Sequence, residues 1–185
     1  MKKVLLGLLI FTLLTSSLVG CTTKTSAPKE EEQQVDVVEK EEVKEDAKFV
    51  NENGILTYLD TETSPFDGVG VKVLIESGID GHAKFIKTDL EGNEGVDYYI
   101  FDYKDNIFEK YSFVSAMNSG YYYYYDLENK ELTKIEDKDH NDSTEKMKEA
   151  NRWDSAVTNV EDDIQILEEY FVREYEKTIK EFVIE

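Results

Sequence analysis

An acidic loop in the last third of the chain is the first place where the residue types could do chemistry. Its oxygen-bearing side chains are Asp137, Asp139, Asn141, Asp142 and Glu145. Oxygen ligands at alternate positions suit calcium, but the EF-hand pattern requires Gly at its sixth position and Glu at its twelfth. Here those positions hold Asp142 and Lys148. The loop is therefore either an unusual calcium site or a solvated segment whose acids cap the following helix.

A run of five tyrosines at residues 121–125 is the most unusual feature of the sequence. Successive side chains of a strand point to opposite faces, so Tyr122 and Tyr124 face away from the other three. If one set packs in the core, the other lies on an open face with tyrosines of neighbouring strands, namely Tyr98, Tyr103 or Tyr111. Exposed tyrosines are common anchors for protein partners, which makes Tyr122 and Tyr124 candidate contacts. The alternative is an aromatic strand that is buried on both faces.

No catalytic constellation is visible in the sequence. The two histidines are His82, in a glycine-rich turn, and His140, in the acidic loop. No G-x-S-x-G motif precedes a helix, and no glycine-rich phosphate loop follows a strand. His140 lies beside carboxylates that could share a zinc ion, but one histidine does not make a zinc site. We predict no catalytic residue and no cofactor, with calcium as the one alternative.

The charge balance excludes one class of partner. The 185 residues include 41 acidic and 21 basic ones, a formal net charge of −20. A nucleic-acid binder needs a basic surface to neutralise phosphates, and this chain would be repelled by them. We therefore predict no nucleic-acid partner.

The N-terminus has the layout of a secretory signal peptide. Lys2 and Lys3 precede an apolar run at residues 4–14, and small and polar residues follow. The run is too short to span a bilayer, for which a helix needs about 20 apolar residues. Residues 1–20 are therefore predicted to be removed from the mature protein.

The end of this segment, Leu18-Val19-Gly20-Cys21, resembles the lipobox of bacterial lipoproteins, and Cys21 is the chain's single cysteine. The resemblance covers residues 1–21. It implies that cleavage occurs between Gly20 and Cys21 and that Cys21 carries diacylglycerol, with palmitate as an expected acyl chain. Two or more acyl chains give lasting membrane binding, whereas one chain gives only a marginal hold. The expected location is the cell membrane, lipid-anchored on its extracytoplasmic face.

An acidic tether follows the predicted anchor. Residues 21–48 contain nine acidic and five basic residues and no aromatic one. Such a composition cannot bury enough surface to offset the cost of ordering the chain. We interpret this segment as a disordered linker that separates the domain from the membrane, with an acidic partner-binding tail as the alternative.

Residues 49–185 form the predicted folded domain. Its first part contains apolar and aromatic runs separated by turn-forming residues, which indicates about six or seven short strands. Short connections favour an antiparallel meander. The runs lie at residues 54–59, 70–75, 83–88, 96–103, 107–114, 121–127 and 131–135.

The last part of the chain is predicted to be helical. A short helix is expected from about residue 142 to 151, and a capping-box pattern from Thr158 to Glu161 predicts the start of a long one of about 24 residues. Its apolar stripe consists of Val160, Ile164, Leu167, Phe171, Tyr175, Ile179 and Phe182. A meander leaves one apolar face uncovered, so this stripe is expected to pack on the sheet and give an α+β domain. The alternative is a stripe that binds another helix or a second copy.

These features together predict a membrane-anchored extracytoplasmic lipoprotein. Its domain is expected to be a non-catalytic binding, accessory or inhibitory module for an envelope protein whose identity the sequence does not give. One alternative is a calcium-dependent or hydrolytic enzyme that uses the loop at residues 137–145. Another is a small ligand-binding lipoprotein that feeds a transporter.

Overall fold

The structure is a computed structural model that describes residues 48–184. The predicted signal peptide, the lipidation site at Cys21 and the acidic linker up to residue 47 lie outside the described residues. The predicted folded domain is described almost in full.

Within residues 48–184, eight strands form one antiparallel sheet whose spatial order is the order of the chain. The strands are β1 (Val50–Glu52), β2 (Ile55–Asp60), β3 (Gly70–Glu76), β4 (His82–Thr88), β5 (Glu94–Asp102), β6 (Ile107–Val114), β7 (Ser119–Asp126) and β8 (Glu131–Asp137). A 3₁₀ turn, Ser115–Met117, joins β6 to β7. The predicted meander is confirmed, but it has eight strands instead of six or seven. The strand missed is β1, which has three residues, all of them exposed, and so carries no apolar alternation.

The helical part contains three α-helices, α1 (Thr144–Glu149), α2 (Trp153–Tyr175) and α3 (Ile179–Ile184). Helix α2 begins at Trp153, so the helix start predicted at Thr158 is wrong. Thr158 lies inside the helix and its hydroxyl donates to the carbonyl of Asp154. The single long helix that was predicted also breaks at Glu176, whose backbone is left-handed with φ of 58°.

The apolar stripe packs on one face of the sheet, as predicted. Val160, Leu167, Phe171 and Ile179 are fully buried there. The Phe171 ring meets Phe85 of β4 edge-on, with 6.2 Å between the ring centroids. These contacts create an α+β domain with a single apolar core between the helices and this face, which we call the covered face.

Candidate functional site

The opposite face of the sheet carries a row of aromatic rings. Register places Tyr98 of β5 directly opposite Tyr111 of β6, and Tyr111 directly opposite Tyr122 of β7. Paired side chains on adjacent strands lie on the same face, so these three rings are neighbours. The helices of residues 48–184 bury their apolar side chains against the covered face. We call the opposite face, which carries these three tyrosine rings, the open face.

The rings form a continuous stack across three strands and one loop. The centroids of Tyr98 and Tyr111 are 5.8 Å apart, those of Tyr111 and Tyr122 are 4.5 Å apart, and those of Tyr122 and His140 are 4.3 Å apart. We refer to Tyr98, Tyr111, Tyr122 and His140 as the aromatic row. Its three tyrosines are half-buried, so part of each ring remains available to a partner.

Charged side chains surround both ends of the aromatic row. The Lys84 ammonium of β4 lies 4.5 Å from the centroid of the Tyr98 ring, within the range of a cation–π interaction. At the other end, Glu136 of β8 accepts hydrogen bonds from Tyr124 and Lys134 and contacts the imidazole of His140 at 3.2 Å. The hydrogen bond from Lys134 is the main reason why the pKa of Glu136 lies below its ordinary value.

The tyrosine hydroxyls at this surface donate to carboxylates. Tyr98 donates to Glu109 at 2.7 Å, and Tyr124 donates to Glu136 at 3.0 Å. Burial, reinforced by these hydrogen bonds, raises the pKa of both tyrosines above its ordinary value of 10. Both hydroxyls therefore stay protonated at neutral pH, and each oxygen can still accept a hydrogen bond from a partner.

The structure places Tyr122 and Tyr124 on the open face and Tyr125 in the core. It also places Tyr98 and Tyr111 beside them, as the predicted meander implied. Tyr103 is different, because it packs on the covered face against Phe101, with ring centroids 6.3 Å apart. The prediction that Tyr103 lies on the open face is wrong. It follows Phe101 by two residues and therefore shares the face of that core residue.

Two members of this surface were not anticipated from the sequence. Lys84 lies on this surface because strand β4 pairs with strand β5. The length of the hairpin between the two strands could have predicted their register. His140 has a left-handed backbone with φ of 61°, which returns its ring over the sheet onto Tyr122. No sequence pattern predicts that stacking.

The acidic loop uses its side chains to build a turn. Asp137 accepts hydrogen bonds from the backbone amides of Asp139 and Asn141 and from the Asn141 side chain. These bonds lower the pKa of Asp137, the largest contribution coming from the Asn141 amide. The same kind of turn recurs at Asp126, which accepts from the amides of Glu128 and Asn129 between β7 and β8. The loop is thus one example of a turn that this chain uses repeatedly.

The other predicted calcium ligands have separate partners. Asp142 accepts from the Thr144 amide at 2.8 Å, Glu145 pairs with Lys148 at 2.9 Å, and Asp139 pairs with Lys138 at 3.0 Å. Among residues 48–184, no three His, Cys, Asp or Glu side chains gather into a group that could hold a metal ion. Calcium binding by this loop stays a prediction.

The arrangement on the open face suits recognition of another protein. Half-buried tyrosines combine a large apolar area with hydroxyls that accept hydrogen bonds, and they lose little conformational entropy on binding. Paired lysines and glutamates supply both signs of charge around them, which fixes the orientation of a partner.

No known protein family, curated protein or solved structure matches the chain. In the part of the chain that the structure describes, no helix is both long enough and apolar enough to cross a bilayer.

Proposed function

We propose that this protein is a lipid-anchored lipoprotein of the bacterial cell envelope. In this proposal its α+β domain is a non-catalytic binding module, and it binds an envelope protein through the open face of the sheet. The observation that carries the proposal is the aromatic row from Tyr98 to His140, which is stacked, half-exposed and flanked by charges of both signs.

The stacking supports a binding role because it orders the surface before any partner arrives. Tyr111 is held between Tyr98 and Tyr122, and Tyr122 is held between Tyr111 and His140. Side chains that are already ordered lose less entropy on binding, so more of the contact energy remains as affinity.

The anchoring half of the proposal depends on Cys21. Cells that express the full chain are labelled with radioactive palmitate, and the protein is immunoprecipitated. We expect label in the wild type and in the control Thr22→Ser, and none in Cys21→Ser, because Cys21 is the one thiol that can carry the lipid. Label retained by Cys21→Ser would refute lipidation at this position.

The binding half is tested by cross-linking in intact cells, followed by purification of the detergent-solubilised protein and mass spectrometry. The variant Tyr122→Ser/Tyr124→Ser removes the centre of the open face. We expect a specific envelope protein to be recovered with the wild type and lost with this variant.

A matched control removes apolar side chains from a different surface. Ile166 and Val172 on helix α2 are 40% and 45% exposed, so Ile166→Ser/Val172→Ser removes exposed apolar area away from the open face. This control should recover the same protein as the wild type. Urea unfolding of each variant checks that the fold persists. If both variants lose the partner, or neither does, the open face is not the binding surface.

A further inference from the structure

Two rings of the aromatic row form the closest tyrosine pair within residues 48–184. The centroids of Tyr111 and Tyr122 are 4.5 Å apart and their ring planes are inclined by 37°. The other tyrosine pairs in contact among these residues have centroids 5.8, 6.2 and 6.5 Å apart. Tyr111 and Tyr122 are also directly opposite each other on β6 and β7, which places their Cβ atoms roughly 4.5–5.5 Å apart. Strand pairing thus holds two phenol rings in contact.

Both rings can be reached from solvent. Each is half-buried, and the helices that close the core pack on the other side of the sheet. A small oxidant can therefore approach the pair, and each phenol can release its proton to water. Side chains at a surface rotate within nanoseconds, so two rings in contact can bring their edges together without any unfolding.

Two phenols held side by side have a specific oxidative chemistry. Loss of one electron and of the hydroxyl proton converts a tyrosine into a phenoxyl radical, whose unpaired electron is shared with the two Cε carbons next to the oxygen. Two such radicals combine through these carbons when they meet. Because the fold holds the rings together, their meeting is an intramolecular step, which is far faster than an encounter in dilute solution.

The surroundings of the pair select it over the neighbouring tyrosines. Tyr124 lies on the same face and the same strand as Tyr122, but the residue directly opposite it on β6 is Glu109. Tyr98 is farther from Tyr111, with 5.8 Å between the ring centroids, and its hydroxyl is held by Glu109 at 2.7 Å. The geometry therefore favours one product, in which Tyr111 is joined to Tyr122.

We infer that Tyr111 and Tyr122 are a site of oxidative cross-linking, at which hydrogen peroxide, used by a haem peroxidase, joins the two rings. Each ring loses one electron and its hydroxyl proton, and a carbon–carbon bond forms between one Cε of each. The hydrogen on each of these carbons then moves to the phenol oxygen, which restores both aromatic rings and both hydroxyls. The two electrons and two protons reduce the peroxide to two molecules of water.

The cross-link ties strand β6 to strand β7 on the open face and fixes the two central rings of the aromatic row. This inference does not rest on the proposed function, since it requires only the contact between the rings and an oxidant that can reach them.

The first experiment treats the full-length, detergent-solubilised protein with a haem peroxidase and a limiting amount of hydrogen peroxide, followed by trypsin and tandem mass spectrometry. Trypsin cleaves after Lys110 and Lys130, so Tyr111 and Tyr122 remain in one peptide, residues 111–130. We expect this peptide to become lighter by two hydrogen atoms. It should also give no backbone fragments from cleavage between the two tyrosines, because the cross-link closes a loop there.

Two other results of the same experiment would overturn the inference. A cross-link from Tyr98 to Tyr111 joins two tryptic peptides, residues 88–104 and 111–130, and would show that the contact at 4.5 Å does not select the product. No linked peptide at all would also refute the site, provided that N-acetyltyrosine under the same conditions forms dityrosine.

The second experiment measures dityrosine fluorescence in variants that keep every ring. Tyr111→Phe and Tyr122→Phe should each lower the yield by at least about 10-fold, because each removes one of the two phenols that the fold holds together. Tyr124→Phe is the matched control on the same strand and face, and it should leave the yield within about 2-fold of the wild type. A yield that survives both Tyr111→Phe and Tyr122→Phe would show that other tyrosines couple.

Dilution of the protein separates coupling within one chain from coupling between copies. The yield per molecule should not change when the wild type is diluted, because the two rings belong to the same chain and their effective concentration is set by the fold. A yield that falls in proportion to the protein concentration would mean that the rings couple between molecules, and the inference would then be wrong.

Discussion

The hydroxyl of Tyr170 on helix α2 donates a hydrogen bond of 2.9 Å to the carboxylate of Asp60 at the end of strand β2. Both side chains are almost fully buried, with 1% and 2% of their surface exposed. Asp60 also accepts from the backbone amide and the hydroxyl of Thr63. One carboxylate thus joins the end of strand β2 to the long helix and to the loop that follows the strand.

Tyr170→Phe removes one of these bonds without changing the shape of the core. We expect it to lower the free energy of unfolding by about 1.5–3 kcal/mol, the range for hydrogen bonds to charged groups. Urea denaturation monitored by circular dichroism measures the loss. Tyr175→Phe on the same helix removes a buried hydroxyl that forms no hydrogen bond within residues 48–184, so it should not lower the free energy of unfolding. Equal losses in the two variants would mean that the bond to Asp60 contributes nothing.

The same carboxylate predicts a dependence of stability on pH. Burial raises the pKa of Asp60, but hydrogen bonds from Thr63, Glu62 and Tyr170 lower it by more, so it lies below its ordinary value of 3.8. A carboxyl group whose pKa is lower in the folded state stabilises the fold above its unfolded pKa. That contribution is lost as the pH falls through the lowered pKa of the folded state.

Asp60→Asn isolates this contribution from those of the other acids. At pH 7 we expect the variant to be less stable than the wild type by about 2 kcal/mol, because an uncharged amide replaces a hydrogen-bonded carboxylate. The difference should begin to shrink as the pH falls through about 4, where Asp60 of the unfolded chain takes up a proton, and should be lost below the lowered pKa of the folded state. Urea unfolding from pH 7 to pH 2 follows it. A difference that stays constant over this range would contradict the assignment.

The contact of helix α2 with the core is tested by one substitution at a buried position and a control at the adjacent exposed position. Phe171 is fully buried and its ring packs against Phe85, Tyr175 and Phe182. Phe171→Ala should therefore lower the free energy of unfolding by about 3–5 kcal/mol. Val172→Ala, at the adjacent exposed position, should cost less than about 0.5 kcal/mol. A small loss at Phe171 would mean that the apolar stripe does not pack on the sheet in solution.

Local pattern was sufficient to predict the sheet and the apolar stripe of the helices. Alternating apolar residues between strong turn signals gave seven of the eight strands close to their observed positions. The bounds of the long helix were less accurate, because a capping box is a short pattern that also occurs by chance. The box at Thr158 is not used, whereas the same pattern at Thr178 and Glu181 caps helix α3 with reciprocal hydrogen bonds.

The candidate site was predictable only in part, because it depends on register and on one backbone conformation. The alternation of side chains along a strand was enough to predict that Tyr122 and Tyr124 lie on the opposite face from their neighbours. The same alternation places Tyr103, two residues after Phe101, on the covered face. The stacking of His140 on Tyr122 depends on a left-handed residue in a turn, which composition does not reveal.

Gly120 provides a test that separates the shape of the open face from the stability of the fold. A Cβ at this position would lie 2.5 Å from the hydroxyl oxygen of Tyr111 and 3.0 Å from Cδ2 of Phe113. Tyr111 must therefore move in Gly120→Ala, and its stacking on Tyr122 is lost. Because the nearest contact is the far end of a side chain, we expect a loss of about 1 kcal/mol, at the low end for overpacking. Recovery of the cross-linked partner should fall as it does in the variant that lacks Tyr122 and Tyr124.

A double-mutant cycle with Tyr111→Ala attributes this loss to the ring. Without the Tyr111 ring the new methyl group loses its two closest contacts, so Gly120→Ala should cost less in that background than in the wild type. The coupling free energy should be about 0.5–1 kcal/mol, as for residues in direct contact. Near-ultraviolet circular dichroism, which reports on the packing of tyrosine rings, should change on Gly120→Ala in the wild type and little when Tyr111 is already absent. Additive losses and an unchanged spectrum would show that Gly120 does not position Tyr111, and the aromatic row would then owe its order to other contacts.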